Sequence, residues 1–224
     1  MAMTWTPRYF DADGRPTMSV TEILSRVGLR TLPPCSAEEL KYAGRRGTAV
    51  HQATAILDGC YPGMSAEDRK YMAAPFLEDP PEVSDYVACW EEFKRRERFV
   101  SHRMEFRLVV DLGWGKYGMT LDREGLWRAK TPAILDIKSG VYEEWWKYQL
   151  AGYELGMKTV FRQPVHHPYR WVRISVELRP GEKIPYRMRV YEGPTDESVF
   201  KSALVVALAM ERDHPSAEMA KEPF

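Results

Sequence analysis

From Val100 onward the chain alternates. His102, Met104, Phe106, Leu108 and Val110 interleave with Arg103, Glu105, Arg107 and Val109, the two-residue period of a strand whose side chains leave by opposite faces. Asp111–Gly115 reads as a turn. Tyr117–Asp122 is a second strand, with Gly118, Thr120 and Asp122 on one face. The apolar run Ala133–Lys138 is a third and sets Asp136 and Lys138 on a common face. Gly125 and Pro132 assign Arg123–Pro132 to a turn between these two strands. Tyr169–Leu178 and Ile184–Glu192 read as a hairpin joined by Arg179–Lys183.

Helical periods occupy much of the rest. Residues 1–18 read as an irregular arm with a turn at Asp11–Gly14. Ser19 or Thr21 caps a short helix that runs through Val27 and ends at Gly28, and Leu32-Pro33-Pro34 is a break. Ser36 with Glu39 forms a capping box. The helical pattern that follows runs towards Leu57, and Gly44 and Gly47 predict that it splits in two. Its second part puts Gly47, Val50, His51, Thr54 and Leu57 on one face, so His51 points inward. A short helix is expected over Met64–Met72, a break at Asp79-Pro80-Pro81, and a stronger helix over Glu82–Phe99 striped by Val83, Tyr86, Val87, Trp90 and Phe93. Glu143–Met157 carries Trp145, Trp146, Gln149, Leu150, Tyr153 and Met157, with Gly152 and Gly156 placed for close packing on a sheet. Thr195 caps a last helix striped by Val199, Ala203, Val206, Ala207 and Met210, followed by a polar, fraying tail after His214.

Helices, three strands, a helix, a hairpin and a helix make an α/β (α+β) fold, one sheet covered by helices. The 224 residues suffice for a single domain. Residues 1–99 form its mainly helical N-terminal part, 100–192 its sheet core, and 193–224 its C-terminal helix and tail.

Charge narrows the partners little. Lys+Arg and Asp+Glu both total 32, which argues against indiscriminate polyanion binding by net charge and leaves local patches open. Arg26–Arg30, Lys41–Arg46 and Lys94–Arg98 are such clusters, each most simply a solvated helix face. Cys35, Cys60 and Cys89 are far apart and odd in number. They suit a reducing compartment and exclude zinc-ribbon or iron–sulfur spacing. Asp11-Ala-Asp-Gly14 opens like a calcium loop, but Arg15 at the fifth place and the missing downstream Glu exclude one. No phosphate-binding loop for ATP is present, and neither a membrane-spanning run nor a secretory leader is apparent. A soluble cytoplasmic protein is expected.

The candidate chemistry lies between Tyr117 and Lys138. If the two strands are neighbours, Asp122 meets Asp136 and Lys138 at one sheet edge. Two carboxylates and the Ile137 carbonyl suit a hard divalent cation, and a nitrogen from His51 makes Mn2+ as acceptable as Mg2+. Lys138 is a cationic helper for water or phosphate. That set fits in-line phosphodiester hydrolysis. Taken singly each residue has a plainer role: Asp122 a turn aspartate, Asp136 and Lys138 a strand-edge ion pair, His51 a core histidine, and Glu105 a salt-bridge partner of Arg103 or Arg107.

Taken in order, Gly47-x-x-x-His51, Glu105, Gly118-x-x-x-Asp122, Asp136-x-Lys138 and Gln149-x-x-x-Tyr153 resemble the PD-(D/E)xK nuclease superfamily. The similarity is greatest to its RecB-like and phage-exonuclease branch. It implies a restriction-endonuclease-like core of four or five mixed strands flanked by helices, with an N-terminal helical elaboration. It implies Mg2+ or Mn2+ at Asp122, Asp136 and the Ile137 carbonyl, with His51 as a further ligand and Glu105 beside the metal. Lys138 would position the attacking water. Gln149 and Tyr153 would touch the DNA backbone or brace the site, Trp145 is a candidate for stacking on bases, and Arg45 and Arg46 are assigned to DNA. Leu121-Asp122 replaces the Pro-Asp of the motif's name, and the missing cysteines set the chain apart from the iron–sulfur subgroup. The resemblance implies a DNA exonuclease of recombination, repair or phage DNA processing, working in the cytoplasm (the host's, if phage-encoded). DNA ends or single strands are the expected partners, with a recombinase, a single-strand-binding protein and a homo-oligomer as further candidates. An endonuclease and a non-catalytic DNA-binding module are the alternatives.

Overall fold

The structure, a computed structural model, describes residues 8–31, 34–161 and 171–213. The N-terminal arm is more ordered than expected. β1 (Tyr9–Phe10) and β2 (Pro16–Thr17) pair antiparallel around the predicted turn, where the Asp11 carboxylate accepts the backbone N–H groups of Asp13 and Arg15. α1 (Val20–Arg26) starts at Ser19 through a capping box with Glu22. Of the Leu32-Pro33-Pro34 break, Leu32 and Pro33 lie outside the described residues.

α2 (Ala37–Asp58) opens at Ser36 with the predicted box to Glu39 and closes at Gly59 in the left-handed conformation. It does not split at Gly44 and Gly47. Each glycine costs about 1 kcal/mol against alanine in a helix. The C-terminal half repays this by burying Ala49, Val50, Ala53, Thr54, Ala55 and Ile56, where one Val or Ile is worth about 1.5–3 kcal/mol. α3 (Ala66–Glu78) is longer than the Met64–Met72 segment and is capped by Ser65. α4 (Val83–Glu97) buries the predicted stripe of Val83, Tyr86, Val87, Trp90 and Phe93.

The sheet follows: β3 (Val100–Asp111), β4 (Lys116–Trp127), β5 (Thr131–Lys138), then α5 (Trp146–Val160), β6 (Val172–Leu178), β7 (Tyr186–Tyr191) and α6 (Thr195–Asp213). The five strands lie in sequence order. β5 and β6 are parallel across the α5 crossover and the other pairs are antiparallel. This is the mixed, helix-flanked sheet expected. Tyr169, the predicted start of the hairpin, and the tail after His214 lie outside the described residues.

One turn is misplaced in the sequence reading. Arg123–Pro132 is not a loop: β4 runs on through Arg123, Glu124 and Gly125 to Trp127, and Pro132 sits inside β5 opposite Leu126. The turn is Arg128–Lys130, with Arg128 and Ala129 at φ 54° and 58°. Gly125 is a strand glycine. A Cβ there would lie 2.0 Å from the Val100 carbonyl oxygen, beside the register shift between Ser101 and Arg103, so the residue serves a bulge rather than a turn.

Two apolar clusters sandwich the sheet. One gathers α1, α5 and α6 through Ile23, Leu24, Trp146, Leu150, Phe200 and Leu204. The other gathers α2 and α4 through Val50, Ala53, Trp90 and Phe93 against Leu135, Ile137 and Val176. The α6 stripe is rotated from the expected one. Phe200, Ala203, Leu204 and Ala207 are buried, whereas Val206 and Met210 are 48% and 40% exposed. Phe200 sets this face: it packs edge-on to Tyr117 and fills the space over Gly152. Gly152 therefore admits α6, while Gly156 admits Met119 and Val110 of the sheet.

These contacts separate two glycine substitutions. Gly44→Ala meets nothing within 4 Å and is expected to raise stability by about 0.5–1 kcal/mol. Gly125→Ala drives a methyl into backbone and is expected to lower it by about 3 kcal/mol or more. Urea denaturation of the two variants beside the parent checks both signs.

Candidate metal centre and its cleft

Strand register assembles the centre. Arg123 of β4 stands opposite Leu135 of β5, so one step further Asp122 meets Asp136. Asp122 Oδ2 accepts the backbone N–H of Ile137 at 2.7 Å. From α2, His51 reaches the same point. Its Nε2 lies 3.1 Å from the Ile137 carbonyl oxygen, and its Nδ1 lies 3.3 Å from Asp122 Oδ1 and 3.4 Å from Glu105 Oε1. Glu105 comes from β3 at φ 47°, a left-handed conformation that costs a non-glycine residue of order 1–3 kcal/mol and is typical of functional sites. Lys138 Nζ lies 2.5 Å from Asp136 Oδ2 and donates to Gln149 Oε1 at 2.8 Å. Gln149 Nε2 in turn donates to the Tyr153 hydroxyl at 2.7 Å. The residues singled out at His51, Glu105, Asp122, Asp136, Lys138, Gln149 and Tyr153 thus meet in one place.

Electrostatics in this cluster are strained by burial. Burial raises the Asp136 carboxyl and Asp122 adds to it; Lys138 opposes both, and the outcome is a pKa of about 7. Burial also works against the Asp122 anion, but His51, Lys138 and the Ile137 N–H outweigh it and hold Asp122 below the usual carboxylate range. His51 is disfavoured as a cation by burial, yet Asp122 and Glu105 carry it up to about 10. Without a cation, the cluster therefore favours a proton on His51 and makes Asp136 easier to protonate than an ordinary carboxylate.

A divalent cation fits the same atoms. Among the described residues, His51, Glu105 and Asp122 each offer one ligand atom, all within 4.8 Å of one another. Asp136 lies outside that group. Its Oδ2 is buried, and Lys138 approaches it as an ion pair off the hydrogen-bonding direction, so no donor satisfies it. One nitrogen among carboxylate oxygens is a donor set that a divalent cation can take up.

Behind the centre is a buried ion pair that sequence reasoning did not find. Arg123 is wholly buried, and Asp58 is 1% exposed. The Arg123 guanidinium donates to Asp58 Oδ2 at 2.7 Å, Thr54 Oγ1 at 2.8 Å, the Asp122 carbonyl at 2.6 Å and Glu105 Oε1 at 3.2 Å. Asp58 also accepts from the Trp90 indole and the Ser101 hydroxyl and pairs with Lys94. Within the basic run Lys94–Arg98, Lys94 is thus tied to Asp58, and Arg95 and Arg96 pair with Glu92 on the surface of α4. No local pattern ties Asp58 to Arg123, 65 residues away.

Three other candidates have partners of their own within the fold. Trp145 is 8% exposed. Its indole donates to Glu143, and its ring carries Arg30 and Lys138 at 5.2 and 5.1 Å, so it is no open platform for a base. Arg45 pairs with Asp79 at 2.7 Å. Arg46 donates to the Ser139 carbonyl and stacks on Tyr86. Neither lines the cleft of about 670 Å³ over the centre. The cations that do, beside Lys138, are Arg8, Arg30 and Arg107. The Arg26–Arg30 cluster held a signal for Arg30; Arg8 and Arg107 had none.

No family model and no curated protein matches the sequence. Among solved structures the chain is similar to the "putative exonuclease" of Eubacterium rectale, at 12% identity over 100% of this chain and 97% of that one, with a TM-score of 0.49. It is also similar to SSO0001, at 11% identity over 85% and 84%, with a TM-score of 0.36. Among the described residues no helix is long and apolar enough to cross a membrane.

Asp58→Ala leaves the Arg123 cation buried without its main partner. A loss of about 3–5 kcal/mol in unfolding free energy is expected, read by denaturant titration. The titrations set a pH dependence. His51 rises from 6.5 to about 10 on folding, so its stabilisation is complete below pH 6.5 and is lost as pH climbs through 10. Asp136 rises from 3.8 to about 7, so its cost is absent below pH 3.8 and grows until pH 7. Both terms lower metal-free stability as pH rises. Added Mn2+ displaces the same protons and is expected to raise Tm more at about pH 8 than at about pH 5.5. Equal gains at both pH values, by thermal shift against EDTA, would refute the assignment.

Proposed function

We propose that this protein is a divalent-metal-dependent nuclease that hydrolyses the phosphodiester bonds of DNA, working as an exonuclease. The supporting observation is the convergence of five sequence-separated motifs on one cleft: His51, Glu105 and Asp122 within ligand distance of each other, with Lys138 held by Asp136 and Gln149.

His51, Glu105 and Asp122 would hold the cation, joined by Asp136 and the Ile137 carbonyl. When bound, such an ion neutralises phosphate charge and makes water more acidic. The protein's own groups do the rest. Lys138, restrained on two sides, keeps donor capacity for a water or a phosphate oxygen. The proton that the attacking water gives up passes through the carboxylate cluster to solvent. The water oxygen bonds to phosphorus in line as the opposite P–O bond breaks, and the leaving oxygen takes a proton from solvent. Gln149 and Tyr153 fix where Lys138 points.

Exonuclease mode follows from the resemblance of the motif order to the RecB-like and phage-exonuclease branch. The intact Asp122, Asp136 and Lys138 weigh against a non-catalytic binding module. End-labelled linear DNA and covalently closed circles, each with Mg2+ or Mn2+, test the reading. Linear DNA is expected to be degraded and circles spared. Asp136→Asn and Lys138→Ala are expected to slow degradation by about 10²-fold or more while remaining folded. Wild-type rates in both variants would remove the site assignment, and cleavage of circles would make the protein an endonuclease.

A further inference from the structure

Two aromatic rings in the cleft are already taken. Tyr9 lies flat on β4: a Cβ at Gly118 would sit 2.1 Å from its ring, and its hydroxyl meets Thr120 Oγ1 at 2.8 Å. Arg107 stacks on that ring at 4.7 Å. Trp145 is the second ring, covered by Arg30 and Lys138. Each arginine is thus tethered one residue from the catalytic cluster, Arg107 through Tyr9 to the strand of Asp122 and Arg30 through Trp145 to Lys138.

Among the described residues none of Arg8, Arg30 and Arg107 is in an ion pair, although most arginines near the site are. Arg30 donates to Ser25 Oγ, and burial, partly offset by Glu143 and reinforced by Arg8, works against its charge. All three line one cleft without a salt bridge of their own, so a phosphate entering it meets guanidinium groups free to pair with it.

We infer that Arg8, Arg30 and Arg107 form a phosphate-reading wall that takes the backbone of a nucleic-acid strand irrespective of base sequence. The wall rests on the nuclease reading for its choice of ligand. Guanidinium groups bind phosphate oxygens, and phosphate contacts position a strand without reading it. Base stacking, the usual second element of single-strand grooves, requires an open ring face. Here the faces of Tyr9 and Trp145 carry cations instead. Gly118 gains a role as well, because only glycine lets Tyr9 lie close enough to support Arg107.

The test is binding without turnover. Fluorescence anisotropy in EDTA, with labelled single-stranded DNA of about 20 nucleotides, is run as a salt titration on oligo-dT and on a mixed sequence. Each Arg→Gln change at Arg8, Arg30 or Arg107 is expected to flatten the slope of log K against log salt by about 0.7, and the triple variant by about 2. The two sequences are expected to bind within about threefold of each other. Arg187→Gln, at an exposed position of β7 that does not line the cleft, is expected to leave the slope unchanged. A triple variant with the wild-type slope, or a wild type that does not bind, overturns the wall. A tenfold preference between sequences overturns its neutrality. The outcomes separate from the nuclease reading: an arginine-dependent slope with no cleavage in Mg2+ or Mn2+ keeps the wall and removes the nuclease, and cleavage with an unchanged slope does the reverse.

Discussion

A single hydrogen bond between neighbouring strands carries the arrangement: the Asp122 carboxylate accepting the Ile137 N–H. A side chain of β4 is thereby pinned to the backbone of β5, at the level where β5 carries Asp136 and Lys138. A slip of one residue would flip every side chain of β5 to the other face. It would turn Lys138 towards the α2 and α4 residues and swing Leu135 and Ile137 onto the face that now carries Asp136. The apolar pattern of β5 and the polar bond therefore specify the same register, each excluding the alternatives of the other.

The cluster formed in this way is electrostatically unfavourable as it stands. Asp122, Asp136 and Glu105 converge in a half-buried space, and the protein answers with cations on three sides. Arg123 lies behind, fully buried and held by Asp58. Lys138 lies beside Asp136, fixed by Gln149. His51 lies against Asp122 and Glu105, whose charges favour its protonated form. A buried pair such as Asp58–Arg123 adds little net stability over an apolar pair of equal volume. Its value is geometric, because the same guanidinium reaches both Glu105 and the Asp122 carbonyl.

Local chemistry was legible in the sequence. The Ser19 cap, the Ser36–Glu39 box, the α4 stripe and the two-residue spacing of Asp136 and Lys138 each need only near neighbours, and each is present. What misled was any residue whose role is set from a distance. Gly125 has the propensity of a turn residue, yet its use depends on the Val100 carbonyl 25 positions earlier. Gly44 and Gly47 weaken a helix in isolation, but burial of its other half decides the matter. Arg45 and Arg46 look like a nucleic-acid patch, and Asp79 and Ser139 claim them. Trp145 looked open because its two covering cations come from α1's far side and from β5.

The parallel pairing of β5 with β6 has a bearing on synthesis. Antiparallel β3, β4 and β5 can zip as hairpins while the chain emerges, which brings Glu105, Asp122 and Asp136 together early. Lys138 is different. Its restraint comes from Gln149 on α5, and α5 is seated by Phe200 of α6 packing on Tyr117 and over Gly152. The hold on Lys138 is thus borrowed from the other end of the fold, and it is complete only where α6 has closed over α5 and the sheet.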